Sequence, residues 1–355
     1  MTGRPVPGRV AFIAAADGHF ASDHLPLVIA AREIGLLVDV IVPPGPNRAA
    51  IENAGARTVA LPVSLDSVNP MRAGFAAGQL AAALKRIEPR FVHCVGLGPS
   101  LVGGAACAMA GLRSRIYDLR GLGDLPFRDD GAARVLRRVA RLLLGGPLRS
   151  RETRFLFSSE AGSDFADPKG ASGAVVFLPD AGIDPELLRP ILTPSSPPLR
   201  VAVLEATGAG VAAEAAELAR SAGAAIDVTT LRALESREWP ESVWSSHHVA
   251  CFLTGEAKAA PRALLEAAAC GRPIICHAGS DPNAFVRDGV EGLVVPSGDA
   301  AALAQALGRL VRDPVLLPRM GAAARARVLH GFTERDMTER TKEFYAAMLA
   351  GTGPA

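Results

Sequence analysis

Lysine is almost missing from this chain. Of its 38 basic residues only four are lysine, Lys85, Lys169, Lys258 and Lys342, and arginine supplies the rest. Acidic residues number 36, leaving a formal net charge of +2. So even a balance excludes a chain built to neutralise a nucleic-acid backbone, which needs a marked basic excess. Cysteine is sparse and unpaired in pattern. Cys94, Cys107, Cys251, Cys270 and Cys276 make an odd count with no Cys-x-x-Cys spacing. That argues against a disulfide framework and against a structural zinc site, and fits a reducing cytosol. No run approaches the ~20 apolar residues of a membrane span. Met1–Arg9 carries two prolines and no apolar stretch behind a basic start, unlike a signal peptide.

What is plentiful is apolar side chain, at 49% of 355 residues. That is enough to offset the ordering entropy of a folded chain, and the length suits about two domains. Short apolar runs read as strands at Val10–Ala15, Leu37–Val42, Arg57–Leu61, Phe91–Val95, Arg115–Leu119, Arg154–Ser158 and Ala174–Leu178. Helical spacing separates them at His24–Gly35, Pro70–Ile87 and Ser100–Ala110. Such alternation without tight hairpin signals predicts a parallel sheet covered on both faces. Prolines crowd the stretch between Leu178 and Leu199, which reads as a linker. Strands then resume at Arg200–Leu204, Ala225–Thr229, Val249–Leu253, Pro273–Cys276 and Gly292–Val295, and the remainder is mostly helical. The expected fold class is α/β, with two tandem doubly wound, Rossmann-like domains facing a cleft. The first domain covers residues 1–179, a linker 180–198, and a shortened second domain 199–331. Residues 332–355 form a helix expected to cross back to the first domain. Sheets of this kind bind ligands beyond the carboxyl ends of their strands.

The most informative segment runs from Gly255 to Ile275. A strand ends near Leu253, and Pro261 suits the first turn of a helix. The amides of Ala263 and Leu264 would then be unpaired donors at a positive helix end, a seat for a diphosphate. Glu266 follows, able to accept hydrogen bonds from ribose hydroxyls. A plain amphipathic helix with a solvated Glu266 is equally compatible with these residues.

This segment resembles the donor-site helix of retaining GT-B glycosyltransferases of family 4. Within that family it is most similar to bacterial enzymes acting on lipid-linked sugars in capsule and O-antigen synthesis. The resemblance rests on Pro261, Leu264, Leu265, Glu266, Ala267, Ala269, Gly271 and Pro273. It continues through Val286–Pro296 and at Met320-Gly321 and Ala324-Arg325. Looser agreement appears at Leu25-Pro26-Leu27, Val92-His93, Gly121-Leu122-Gly123 and Ala181–Asp184. The resemblance implies transfer of a sugar from a nucleotide-sugar donor to a lipid-linked or polysaccharide acceptor, with retention of configuration and without metal or other cofactor. It implies a donor site at Glu266, Arg262, Ala263, Leu264, Lys258, Glu256 and Gly18, and an acceptor side at His19, His24 and Gly121. His93, Arg120 and Lys258 are the candidate catalytic residues.

The departures matter. The family's acidic residue eight positions before Glu266 is Lys258 here, a donor-only cation, and Glu256 could replace it only in a remodelled loop. The family's Arg and Lys-Gly after the first strand of the second domain are absent from Leu204–Gly210, where Glu205 would repel phosphate. Arg120 is the best substitute cation. A catalytically degenerate partner subunit or sugar-nucleotide-binding module is therefore the rival reading.

Three further features each allow two readings. Gly208-x-Gly210-x-x-Ala213 with Asp227 imitates a dinucleotide fingerprint, but three residues separate strand from glycine. Gly18-His19 follows the first strand, as a βα loop that either meets a ligand or merely connects. Arg134–Arg154 interleaves arginines with Val135, Leu136, Val139, Leu142, Leu143 and Leu144. That is either a basic amphipathic helix for an anionic membrane surface or a helix packed on its own domain. The expected location is cytoplasmic, either free or peripheral on the inner face of the plasma membrane.

Overall fold

The computed structural model describes residues 8–65, 69–120, 131–158, 174–178, 182–204, 209–231, 240–253, 262–278 and 285–351. The chain forms two units, Met1–Asp180 with Met337–Ala355, and Ala181–Asp336.

The first unit is built on seven parallel strands: β1 (Arg9–Ala14), β2 (Leu37–Val42), β3 (Arg57–Ala60), β4 (Phe91–Val95), β5 (Arg115–Asp118), β6 (Thr153–Phe157) and β7 (Val175–Phe177). Their order is β3-β2-β1-β4-β5-β6-β7. β1, β2 and β4 read as nearly continuous apolar runs because helices cover both sheet faces. One face packs α4 (Pro70–Ile87), α5 (Leu97–Ala110) and α6 (Gly131–Gly145) through Leu80, Leu84, Val102, Cys107, Ala140 and Leu144. The other packs α1 (Asp17–Asp23), α2 (Leu25–Glu33) and α3 (Arg48–Asn53), joined by Met337, Phe344 and Tyr345 from the end of the chain. Asp39 is buried within β2 but paired with Arg9 at 2.7 Å and Arg57 at 2.5 Å, which offsets its desolvation. The strand order reverses between β1 and β4. At such a switch point the two neighbouring connections leave toward opposite faces and open a crevice at the carboxyl edge.

The second unit has five parallel strands: β8 (Leu199–Leu204), β9 (Ile226–Leu231), β10 (Val249–Phe252), β11 (Ile274–His277) and β12 (Gly292–Val295), in the order β12-β11-β10-β8-β9. Its switch point lies between β8 and β10. Helices α7 (Ala209–Ser221) and α10 (Ala300–Arg312) cover one face. Helix α9 (Arg262–Ala269) and Trp244 of α8 (Pro240–Ser246) lie on the other, and α11 (Leu316–Leu329) contributes to both cores. The proline-rich segment is fastened to this unit. Buried Arg272 donates to the carbonyls of Ile191, Leu192 and Trp244, and Ile183 is wholly buried. Helix α12 (Glu334–Ala350) starts on a reciprocal cap, with Asp336 N–H donating to Thr333 Oγ1 at 3.0 Å and Thr333 N–H to Asp336 Oδ2 at 3.1 Å. Its residues from Met337 onward belong to the first unit.

Two local expectations need correction. The stretch from Asp17 to Glu33 is two helices with His24 between them, so Gly18 and His19 are helical rather than part of a loop. Pro26 lacks the N–H that a continuous helix would need there, and it sits instead in the first turn of α2. The arginine-rich stretch is likewise not one helix. α6 ends at Gly145, and Arg154 lies on β6.

Candidate functional site

At the carboxyl edge of the first unit, β4 and β5 carry a buried polar chain. Asp118 ends β5, and Arg120, two residues on, donates to it through Nε at 2.8 Å and Nη2 at 2.5 Å. Burial alone would push the Asp118 carboxyl up, but the Arg120 charge and hydrogen bonds from Arg120 and His93 hold it well below the usual range. An ionised Asp118 accepts only, so His93 Nε2 carries the proton and donates to Oδ2 at 3.2 Å. His93 Nδ1 then accepts from the Tyr345 hydroxyl at 2.8 Å. Burial keeps this imidazole neutral by lowering its pKa, against the pull of Asp118. His93 is wholly buried and both ring nitrogens are committed. Its geometry suits positioning Asp118 and Arg120, not meeting a substrate.

Beside this chain stands His24. It is 7% exposed, and among the described residues neither ring nitrogen has a hydrogen-bond partner. Burial drives its pKa down to about 3, with Asp118, Arg120, His19 and Asp23 all within electrostatic reach. His19 packs edge-on against it at 5.1 Å and pairs with Asp23 at 3.3 Å. The hydrogen bond to Asp23 raises the His19 pKa. His19, with a side chain 59% exposed, and Asp23 thus form an accessible rim over buried His24, Asp118 and Arg120.

In the second unit, α9 follows β10. Leu264 and Leu265 are buried, while Glu266 keeps a side-chain exposure of 15% and accepts from Arg262 Nε at 3.0 Å. Burial raises the Glu266 carboxyl, and Arg262 opposes it. Arg262 and Glu266 therefore form a polar pair at the first turns of a helix whose other face is core. Ala263 is half-buried. Lys258, Glu256 and Gly121 lie outside the described residues, as does the segment 205–208.

Much of the motif around α9 serves architecture. Gly271 adopts φ +77 at the end of α9, and a side chain on Gly321 would run into the Gly271 carbonyl. Gly292 lies equally close to the backbone of Ile274. Glu291 is fully buried and clamps Arg287 through its backbone N–H and guanidinium. Asp227 is exposed near the start of β9, the edge opposite to where a dinucleotide's ribose would sit.

Sequence reasoning missed Asp118 and Tyr345. An acid closing a strand two residues before Arg120 was a usable signal. Tyr345, 252 positions from His93, left none.

These features can be set beside known proteins. Residues 191–313 match the glycosyl transferases group 1 family. Over 86 residues the chain is 38% identical to the D-inositol 3-phosphate glycosyltransferase of Streptomyces griseus subsp. griseus, covering 24% of this chain and 18% of that protein. Over 63 residues it is 49% identical to the phosphatidyl-myo-inositol mannosyltransferase of Mycobacterium leprae, covering 17% and 16%. The chain thus spans less than a fifth of the length of these curated relatives. In structure it resembles Anabaena HepE, solved in complex with UDP and glucose, with a TM-score of 0.69 and 14% identity over 95% of this chain and 99% of that one. The fold is of the GT-B type, with two Rossmann-like parallel-sheet units.

Proposed function

We propose that this protein is a glycosyltransferase that moves a sugar from a nucleotide-sugar donor to a lipid-linked or polysaccharide acceptor in surface glycan synthesis. The observation that carries the reading is Glu266: a largely buried carboxylate on α9, inside the group 1 match, with Arg262 one turn before it. In this reading Glu266 accepts from the ribose hydroxyls, and Arg262 with the amides of Ala263 and Leu264 takes the diphosphate. Stabilising a leaving diphosphate with fixed donors and cations acts where charge develops. Retention of configuration and independence from metal belong to the same reading. The rim of His19 and Asp23, with His24 beneath it, would meet the acceptor. That HepE was solved with UDP and glucose, and that the mycobacterial relative is named for a phosphatidyl-inositol acceptor, supports this division of labour.

The test is calorimetry with UDP, GDP and their sugars. Glu266→Ala should weaken binding about 10- to 150-fold, the worth of a hydrogen bond to a charged group, with the fold intact by circular dichroism. Unchanged affinity removes Glu266 from the donor site. Binding without turnover favours the rival reading, a non-catalytic partner subunit, which the lysine at position 258 and the base-free Leu204–Gly210 stretch support.

No helix among the described residues is long and apolar enough to cross a membrane. Contact with an anionic leaflet rests on α6. Val135, Val139 and Leu142 are exposed at 64%, 40% and 70%, spaced along one stripe beside exposed Arg134, Arg138 and Arg141. The helix has no acidic residue. Sedimentation with anionic vesicles should fall with salt and fall further for Val135→Ser with Leu142→Ser. Equal recovery with neutral vesicles would make α6 a structural element only.

A further inference from the structure

A second apolar feature of the first unit lies away from α6, where the chain leaves β3 and enters α4. A groove of about 430 Å³ is lined by Val63, Ser64, Met71, Arg72 and Phe75. It stands at the carboxyl edge of the sheet, since β3 ends at Ala60 and Leu61 still bonds to Val42. The volume falls within the ~300–1,000 Å³ of small-ligand sites. Two of its walls are large side chains left in water, Met71 at 83% and Phe75 at 63% exposure. Neither is needed by the core, which α4 reaches through Ala76, Ala77, Leu80 and Leu84. The backbone here is held firmly, with Asn69 Oδ1 accepting from the N–H groups of Met71 and Arg72.

The charge is as one-sided as the surface is apolar. Among the described residues, no acid lines the groove. Arg72 is exposed, and its guanidinium forms no ion pair among the described residues. An apolar trough with an exposed guanidinium in its lining complements an amphiphile with a hydrocarbon chain and an anionic head. A sugar alone would leave Met71 and Phe75 wet, and a free phosphate would use only Arg72.

We infer that the groove of Val63, Met71, Phe75 and Arg72 holds the hydrocarbon segment of an anionic lipid next to its phosphate, and so is where a lipid-linked acceptor is seized. Its role in transfer rests on the glycosyltransferase reading above; the binding itself does not.

Dodecyl phosphate, kept below its micelle-forming concentration, is the probe. In the full-length protein with methyl-labelled methionine, six signals are expected, and Met71→Leu assigns the one that matters. Dodecyl phosphate should shift the Met71 methyl saturably. Phe75→Ala and Arg72→Gln should each weaken binding about tenfold, as expected from lost apolar burial and a lost charge partner. Inorganic phosphate and dodecyl maltoside should bind far more weakly than dodecyl phosphate. Both substituted residues are exposed, so the variants should melt with the wild type. The proposal is overturned if dodecyl phosphate leaves Met71 unmoved, or if both variants bind it as tightly as wild type. Donor calorimetry on the same samples separates the two readings. A groove that fails while nucleotide sugars still bind leaves the transferase reading standing, and a groove that binds where no nucleotide does leaves only the lipid site.

Discussion

At the carboxyl edge of the first unit the titratable groups are sunk. His24, His93, Asp118 and Arg120 are each at most 7% exposed, and Tyr345 joins the chain of His93, Asp118 and Arg120 from the far end of the sequence. On α9 of the second unit, Arg262 and Glu266 lie four residues apart on one helix, with side chains 36% and 15% exposed. The first arrangement cannot lose a member cheaply, because what remains is a buried charge or an unmet donor. The second is a half-solvated pair that can let go of itself and take a ligand instead. The contrast separates groups that hold a site in shape from groups free to meet a substrate.

Removing Asp118 tests the first half most severely. Asp118→Ala takes from Arg120 the carboxylate that it grips through Nε and Nη2, and takes from His93 Nε2–H its acceptor. Breaking a buried pair on one side costs about 3–5 kcal/mol. Urea denaturation followed by circular dichroism should show a loss of that size. A loss under about 1 kcal/mol would mean that water already reaches the chain.

How far the sequence revealed each region follows from the same contrast. The α9 segment was legible because its constraints are local: Glu266 and Gly271 lie five residues apart in the sequence, and Gly321 answers directly to Gly271. The strands were legible because parallel strands buried on both faces are apolar throughout. The polar chain of the first unit was only partly visible. His93 and Arg120 stood out as polar residues on strand ends, yet their roles depend on Asp118 and Tyr345, which only the folded chain brings to them. The helix beginning at His24 was legible, with Pro26 in its first turn, whereas the seven-residue α1 before it read as a connecting loop.

A gentler probe of the sunken groups is acid. Unfolded, the His24 imidazole takes its proton near the ordinary value of 6.5; folded, burial delays this to about 3. Between those values the unfolded chain binds more protons, so lowering the pH favours unfolding. His24 thus supports the fold fully above pH 6.5, and its share fades by at most about 1.4 kcal/mol per pH unit below it. His248, which accepts from Arg200 N–H and is also lowered by burial, acts in the same direction. Stability measured from pH 7.5 to 5 should fall more steeply in wild type than in His24→Leu. Parallel curves would show that His24 is already solvated and accessible.

The smallest effect is expected on α9. Arg262 precedes Glu266 by four residues, the less favourable order for such a pair, and a cation in the first turn opposes the helix dipole. The pair is partly exposed, where ion pairs are worth roughly 0–1 kcal/mol. Arg262→Gln should therefore lower stability by at most about 0.5 kcal/mol, a shift of about 1–2 °C in melting temperature for a unit of this size. Without Arg262, burial alone acts on Glu266 and its carboxyl rises further. If Arg262 takes the donor diphosphate, UDP affinity should fall in this variant although the fold barely changes. A melting temperature lower by more than about 4 °C would show the opposite: that Arg262 and Glu266 clasp the helix much as Arg120 and Asp118 clasp the first unit, and that the second unit has no free pair to offer a nucleotide.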